Sequence, residues 1–230
     1  MTFAGHQQDI YSIDFARDGR TIASGSGDRT VRLWDIKQGL LLLTLTMPDG
    51  ITTVAISPDC KLLAAGSLDK TIRVWKLHQG NLIEHLQGPD GHKDSIYSVA
   101  FSPNSKDLIS GSLDNDIKLW ELSTPRNLPN NPPPHVRTFE GHKDFILSTT
   151  FTPDVQWIIS GSKDRHVQFW DPRTGVSQLI LMAHKNSVIS VAASPVGGYF
   201  ATGSGDMKVR IWSYRQVNQA GYGIGDNEHK

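Results

Sequence analysis

A chain of 230 residues with 38% hydrophobic content is long enough to bury a sizeable core. Its 23 basic and 23 acidic side chains cancel, which removes the broad positive field that direct phosphate-backbone binding needs, and no apolar run reaches membrane-spanning length. The N-terminus reads as starting inside folded sequence, without the basic and apolar segments of a secretory leader, and the lone Cys60 can staple nothing, so a reducing compartment is expected.

Taken in chain order, the same strand and turn signals recur. The first unit, residues 5–46, opens on the β-rich run "DIYSIDF" and the turn "ARDG", passes through a second strand ending in Gly-Ser, and reaches "GSGDRTVRLWD" from Gly25. A short "KQG" turn and a fourth strand, "LLLTLT", complete it. The second unit, 47–87, carries "SPDC", "GSLDKTIRVWK" from Gly66, "HQG" and "NLIEHLQ". The third, 88–139, carries "SIYSVAF", "SPNS", "GSLDNDIKLWE" from Gly111 and, after an insertion, "VRTFE" as its fourth strand. The fourth, 140–182, carries "TPDV" and "GSKDRHVQFWD" from Gly161, and the fifth, 183–213, "SVISVAA", "SPVG" and "GSGDMKVRIWS" from Gly203. Residues 214–230 are Gly-rich and polar and are expected to form a loose tail. No stretch reads as a long helix.

Four polar positions keep a fixed spacing through these units. The turn aspartates Asp28, Asp69, Asp114, Asp164 and Asp206 are each followed six residues later by a tryptophan, namely Trp34, Trp75, Trp120, Trp170 and Trp212. His6, His92, His142 and His184 precede four of these tryptophans, and Ser24, Ser110, Ser160 and Thr202 stand four residues before four of the aspartates. The second unit has Ala65 in place of the hydroxyl and no histidine. A hydrolase reading of serine, histidine and aspartate needs one constellation and a strained nucleophile elbow, whereas this chain repeats the set inside hairpins. The joint loss in the second unit points instead to a hydrogen-bonded fastening, since one partner left alone would be buried unsatisfied. Metal binding lacks any close His/Cys pair with ligand spacing, so no metal, cofactor or catalytic residue is expected.

Four antiparallel strands per unit, with Gly-His early and Trp-Asp late, resemble the blade of a WD-repeat β-propeller. The fold class is therefore all-β, with five recognisable four-stranded blades, the fifth lacking a clear outer strand. In such a fold the Asp-centred turns share one rim with the loops that enter each first strand. Aligning on the histidines puts Tyr11, Thr52, Tyr97, Leu147 and Ile189 at one position near that rim. Tyr11, Tyr97, Leu68, Leu113, Phe145, Lys163 and Asn186 are the candidate partner-binding residues there, with Leu68, Leu113 and Phe145 expected to be exposed; the alternative for the tyrosines is packing between blades. The insertion "LSTPRNLPNNPPP" belongs to the opposite face and reads as an extended linker, or as a basic polyproline ligand through "RNLPNNP".

At the level of whole blades, "GHQQDIYSIDF", "DGITTVAISPD", "GHKDSIYSVAFS", "GHKDFILSTTF", "HKNSVISVA" and "FATGSGDMKVRIW" occur in an order that resembles the C-terminal propeller of the fungal Tup-type general transcriptional corepressor. That resemblance implies an incomplete part of a seven-bladed propeller in a nuclear, non-enzymatic scaffold recruited by DNA-bound repressors. It further implies contact with histone tails, and a TPR-repeat partner if a helical region lies upstream. It carries over an upper-rim role to Tyr11 and Tyr97; direct DNA binding and a membrane are not implied. The alternative is a substrate receptor of a ubiquitin ligase or a cytoplasmic WD-repeat scaffold.

Overall fold

The computed structural model describes residues 1–122 and 136–214. Runs that alternate apolar with polar side chains, interrupted by Pro, Asp, Asn and Gly turns, give short strands that pair with their sequence neighbours as antiparallel hairpins. Blade 1 is β1 (Ile10–Phe15), β2 (Thr21–Ser26), β3 (Thr30–Asp35) and β4 (Leu41–Thr46), in that spatial order. Blade 2 is β5 (Ile51–Ile56), β6 (Leu62–Ser67), β7 (Ile72–Lys76) and β8 (Leu82–Leu86). Blade 3 is β9 (Ile96–Phe101), β10 (Asp107–Ser112), β11 (Ile117–Glu121) and β12 (Val136–Phe139), and blade 4 is β13 (Ile146–Phe151), β14 (Ile158–Ser162), β15 (Val167–Trp170) and β16 (Ser177–Leu181). Blade 5 has three strands among the described residues: β17 (Val188–Ala193), β18 (Tyr199–Ser204) and β19 (Val209–Ser213). The chain forms a β-propeller.

The core lies between blades. A sheet of this kind buries both faces, so its inner strands supply apolar side chains to the junctions: Ile51, Val54 and Ile56 of β5 pack with Ala23, Val31 and Leu33 of blade 1. The approach is close at the glycine one residue before the end of the second strand. A Cβ placed on Gly25 would lie 2.6 Å from Ile51 Cγ2, and one on Gly66 2.5 Å from Ile96 Cγ2. Glycine at these positions is therefore a packing requirement.

Two turn families recur with a left-handed residue. Arg29, Lys70, Asn115, Arg165 and Met207 each follow a turn aspartate at positive φ, between Met207 at 66° and Arg165 at 75°. Only asparagine among these side chains favours that region, so the turn is held by its aspartate, whose Oδ1 accepts the N–H two residues on (Thr30, Thr71, Asp116, His166 and Lys208).

One expectation needs correction. Tyr214 was assigned to the tail, but it is buried against Phe169 and Phe200 and its N–H donates to the Gly198 carbonyl at 2.9 Å. Ile36, Leu77 and Leu122 make the same backbone bond two residues after their own tryptophans, so the blade reaches one residue further than the Trp-centred motif implies. The "RNLPNNP" segment lies outside the described residues, as do residues 215–230.

Candidate interaction surface

The polar sets fix the rim. In blade 1, His6 Nδ1 is 2.9 Å from Asp28 Oδ2, His6 Nε2 is 2.7 Å from Ser24 Oγ, and Trp34 Nε1–H donates to Ser24 Oγ at 2.8 Å. Blade 3 repeats this with His92, Asp114, Ser110 and Trp120 at 2.9, 2.7 and 2.9 Å. Blade 4 does so with His142, Asp164, Ser160 and Trp170 at 2.8, 2.7 and 2.8 Å. In blade 5, His184, Asp206, Thr202 and Trp212 are linked at 3.0, 2.8 and 2.9 Å. One direction of donation satisfies every member: indole N–H to hydroxyl oxygen, hydroxyl to the neutral Nε2, and Nδ1–H to carboxylate.

The connectivity is that of a hydrolase relay, yet the environment is not. Ser24, Ser110, Ser160 and Thr202 are buried, and each hydroxyl oxygen already accepts an indole N–H. A carbonyl substrate cannot reach them. Blade 2 lacks histidine and hydroxyl together: Asp69 there accepts from the Thr71 N–H and hydroxyl at 3.0 and 2.7 Å and faces Arg73 at 3.4 Å. Among the described residues no group of three His, Cys, Asp or Glu is placed to hold a metal.

Electrostatics follow from these partners. Desolvation pushes the Asp114 carboxyl up, but hydrogen bonds from His92 and from the N–H groups of Lys93 and Asp116 outweigh it and hold the group at about 2. Asp28 and Asp164 are held well below the usual carboxylate range against the same desolvation, Asp28 by Thr30, Gln7 and His6 and Asp164 by His142, Lys143 and His166. Desolvation moves His92 below its ordinary value, with Asp114 pulling the other way, which keeps the ring in the neutral form the relay needs.

Asp116 occupies the place of Thr30 and Thr71 without their hydroxyl. Desolvation, together with the charges of Asp114 and Glu140, raises it to about 6, with Lys118 opposing. A carboxyl raised on folding costs stability wherever it is ionised, so the cost is absent below about pH 4 and complete above about pH 6. Asp116→Asn is therefore expected to stabilise the protein at pH 7.5 by about 1 kcal/mol, after discounting for solvent screening, and to have no effect at pH 4. Urea midpoints of both proteins at the two pH values check this; an equal shift at both would assign the gain to something other than charge.

The rim is stitched by backbone bonds between the two loop families. The N–H of the residue before each turn aspartate donates to the loop entering its own blade: Gly27 to Asp9, Leu68 to Gly50, Leu113 to Ser95, Lys163 to Phe145 and Gly205 to Ser187, at 2.9 to 3.0 Å. Each first strand also carries a β-bulge at its second residue, with the register shifting across Tyr11, Thr52, Tyr97, Leu147 and Ile189. A bulge re-aims the extra side chain, and here it leaves Tyr11 60% and Tyr97 40% exposed. Sequence periodicity alone gave no sign of it.

The other candidates differ in environment. Leu68 is exposed, as expected, and Lys163 is exposed with its ammonium 4.5 Å from the Phe145 ring centroid and 3.7 Å from the Asp144 carboxylate. Leu113 and Phe145 were expected to be exposed and are instead half-buried, each within a loop held by this backbone pairing. Asn186 is exposed, but its amide is committed: Oδ1 accepts the Ser187 N–H at 2.7 Å and Nδ2 donates to the Gly205 carbonyl at 3.3 Å. Asp49, Asp94 and Asp144 make the equivalent cap in blades 2 to 4, a recurrence visible in the sequence once the loops are aligned.

Comparison with known proteins agrees with this geometry. The family model "WD domain, G-beta repeat" matches residues 1–35, 39–76, 82–121, 134–171 and 175–213. The "Eukaryotic translation initiation factor 3 subunit I" of Neurospora crassa is 45% identical over 58 residues, which is 25% of this chain and 17% of that protein. The protein of the same name from Pyricularia oryzae is 41% identical over 58 residues with the same coverage. The "Notchless protein homolog" of Arabidopsis thaliana is 53% identical over 36 residues, 16% of this chain and 8% of that protein. The match thus spans less than a fifth of the length of these relatives, and it supports the repeat family without extending to a Tup-type corepressor. With five matched repeats that coincide with five sheets, the chain belongs to the WD-repeat family.

Proposed function

We propose that this chain is a non-enzymatic scaffold that holds partner proteins against the rim formed by the Asp-centred turns and the loops entering each first strand. The observation that carries it is the pair of bulge tyrosines, Tyr11 and Tyr97, which are exposed on this rim, as Leu68 and Lys163 are. Buried hydroxyls in the polar sets support a non-catalytic role.

Two assemblies are offered for this rim. The blade sequences, which run from "GHQQDIYSIDF" to "FATGSGDMKVRIW" and include the second unit's missing histidine, favour a nuclear corepressor scaffold recruited by DNA-bound repressors, with histone tails as a further ligand. A cytoplasmic WD-repeat scaffold is the second reading. It is favoured by the relatives, whose printed names belong to a translation initiation factor and which, on names alone, support it better than the nuclear reading. The substitution pair Tyr11→Ala and Tyr97→Ala is expected to weaken partner binding at least tenfold while leaving the urea unfolding midpoint nearly unchanged. Calorimetry with purified repressor peptides and with purified translation-initiation subunits separates the two assemblies, and equal loss of binding and stability would place the tyrosines in the packing instead.

A further inference from the structure

Among the described residues, blades 1 and 5 each leave bare a face of the kind that the other blades cover for one another. Ile13 is 62% exposed on blade 1, whereas the equivalent Val54, Val99, Thr149 and Val191 are buried by the blade before them. Ile10 and Phe15 are likewise exposed where Ile51, Ile96, Ile146 and Val188, and Ile56, Phe101 and Phe151, are buried. On blade 5 the situation is the mirror of this. Ile211 is 73% exposed and Val209 is exposed, at the places of the buried Leu33 and Val31. A Cβ on Gly203 would touch only Ser190, at 4.0 Å, whereas one on Gly161 would lie 2.6 Å from Val188 Cγ1.

The polar register is left unfilled in the same way. At each internal junction a hydroxyl on the third residue of a first strand accepts the N–H of the fourth residue in the next blade's first strand. The pairs are Val54 to Ser12 at 3.1 Å, Val99 to Thr53 at 3.2 Å, Thr149 to Ser98 at 2.9 Å and Val191 to Ser148 at 3.1 Å. The next members of this series are Ser190, exposed on blade 5, and the N–H of Ile13 on blade 1. One half of the repeated junction therefore stands on blade 1 and the other on blade 5.

We propose that copies of this chain associate head to tail, the bare face of blade 5 in one copy taking the bare face of blade 1 in the next. Ile10 of the second copy seats over Gly203, Ile13 and Phe15 cover Val209 and Ile211, and the Ile13 N–H donates to Ser190 Oγ. The edge of β19, which no strand among the described residues pairs with, is filled as well. Phe3 packs on Trp34 with ring centroids 5.4 Å apart, as Phe139, at the end of β12, packs on Trp170 at 5.9 Å. Since Ile117 pairs with Phe139 and Lys118 with Thr138, the same register puts Phe3 of the second copy opposite Val209 and Thr2 opposite Arg210. Such a contact is heterologous, so each copy keeps one unused face of each kind and longer assemblies can grow. The junction is independent of which partner the rim binds.

Sedimentation velocity on the purified 230-residue chain tests this with two variants, Ile13→Asp and Ile211→Asp, whose exposure leaves the fold untouched, as far-ultraviolet circular dichroism verifies. The wild-type mass is expected to rise with concentration, and each variant alone is expected to remain a single chain. An equimolar mixture of the two is expected to give a dimer and nothing larger, because each supplies the face the other has lost. Ser190→Ala is expected to weaken association about three- to tenfold, the worth of one hydrogen bond. A wild-type chain that stays single at every concentration overturns the proposal, as does a mixture of the two variants that forms no dimer.

Discussion

Ser160→Ala is expected to cost about 2–5 kcal/mol of stability, because one hydroxyl serves two buried partners. Its removal leaves the Trp170 indole N–H, now 2.8 Å from the oxygen, without an acceptor, and His142 Nε2, 2.7 Å away, without a donor. Each orphaned group carries a desolvation cost of about 1–3 kcal/mol, and neither is near water, since both side chains are buried. Against a total folding free energy of about 5–15 kcal/mol, this loss lowers the urea midpoint severely. The double variant Ser160→Ala with His142→Leu is expected to lose less than the sum of the two single losses, because removing both partners abolishes the same bond once. Blade 2 already carries that double change in natural form, with Ala65 and no histidine. A loss below about 0.5 kcal/mol for the single variant would mean that the blades are held by their apolar junctions alone.

The polar fastening was legible in the sequence because its members keep constant offsets within one hairpin, so His6, Ser24, Asp28 and Trp34 could be assigned from spacing before any contact was seen. Blade number and strand order were legible for the same reason, each unit being a local meander. The rim was legible only in part. Tyr11 and Tyr97 are turned outward by a bulge, and a bulge leaves no mark on apolar periodicity. The half-burial of Leu113 and Phe145 accompanies a backbone pairing between two loops, which leaves no mark on side-chain identity, and Asn186 reads as a free surface amide until its equivalence with Asp94 is noticed. Least legible were the bare faces. Ile10 and Ile13 are the same kind of residue as their buried counterparts in β5 and β9, so sequence cannot tell a covered blade face from an uncovered one; only packing does.

That distinction gives the largest contrast available in this molecule. Gly111 and Gly203 are the next-to-last residues of equivalent strands, β10 and β18, and neither sits in the left-handed region that would penalise a side chain. Gly111 faces the Ile146 side chain at a separation no Cβ can share, and Ile146 is fully buried with no room to retreat. Gly111→Val must therefore push blade 4 away from blade 3 or force both side chains off their rotamers, at a cost of about 3 kcal/mol or more. Gly203→Val meets open space, and a β-branched residue suits a strand better than glycine does, so the stability of the single chain is expected to change by less than about 0.5 kcal/mol. Thermal unfolding of both variants under dilute conditions measures the difference. Equal destabilisation would show that this glycine is required by the blade itself, whereas a loss confined to Gly111→Val assigns it to the junction between blades.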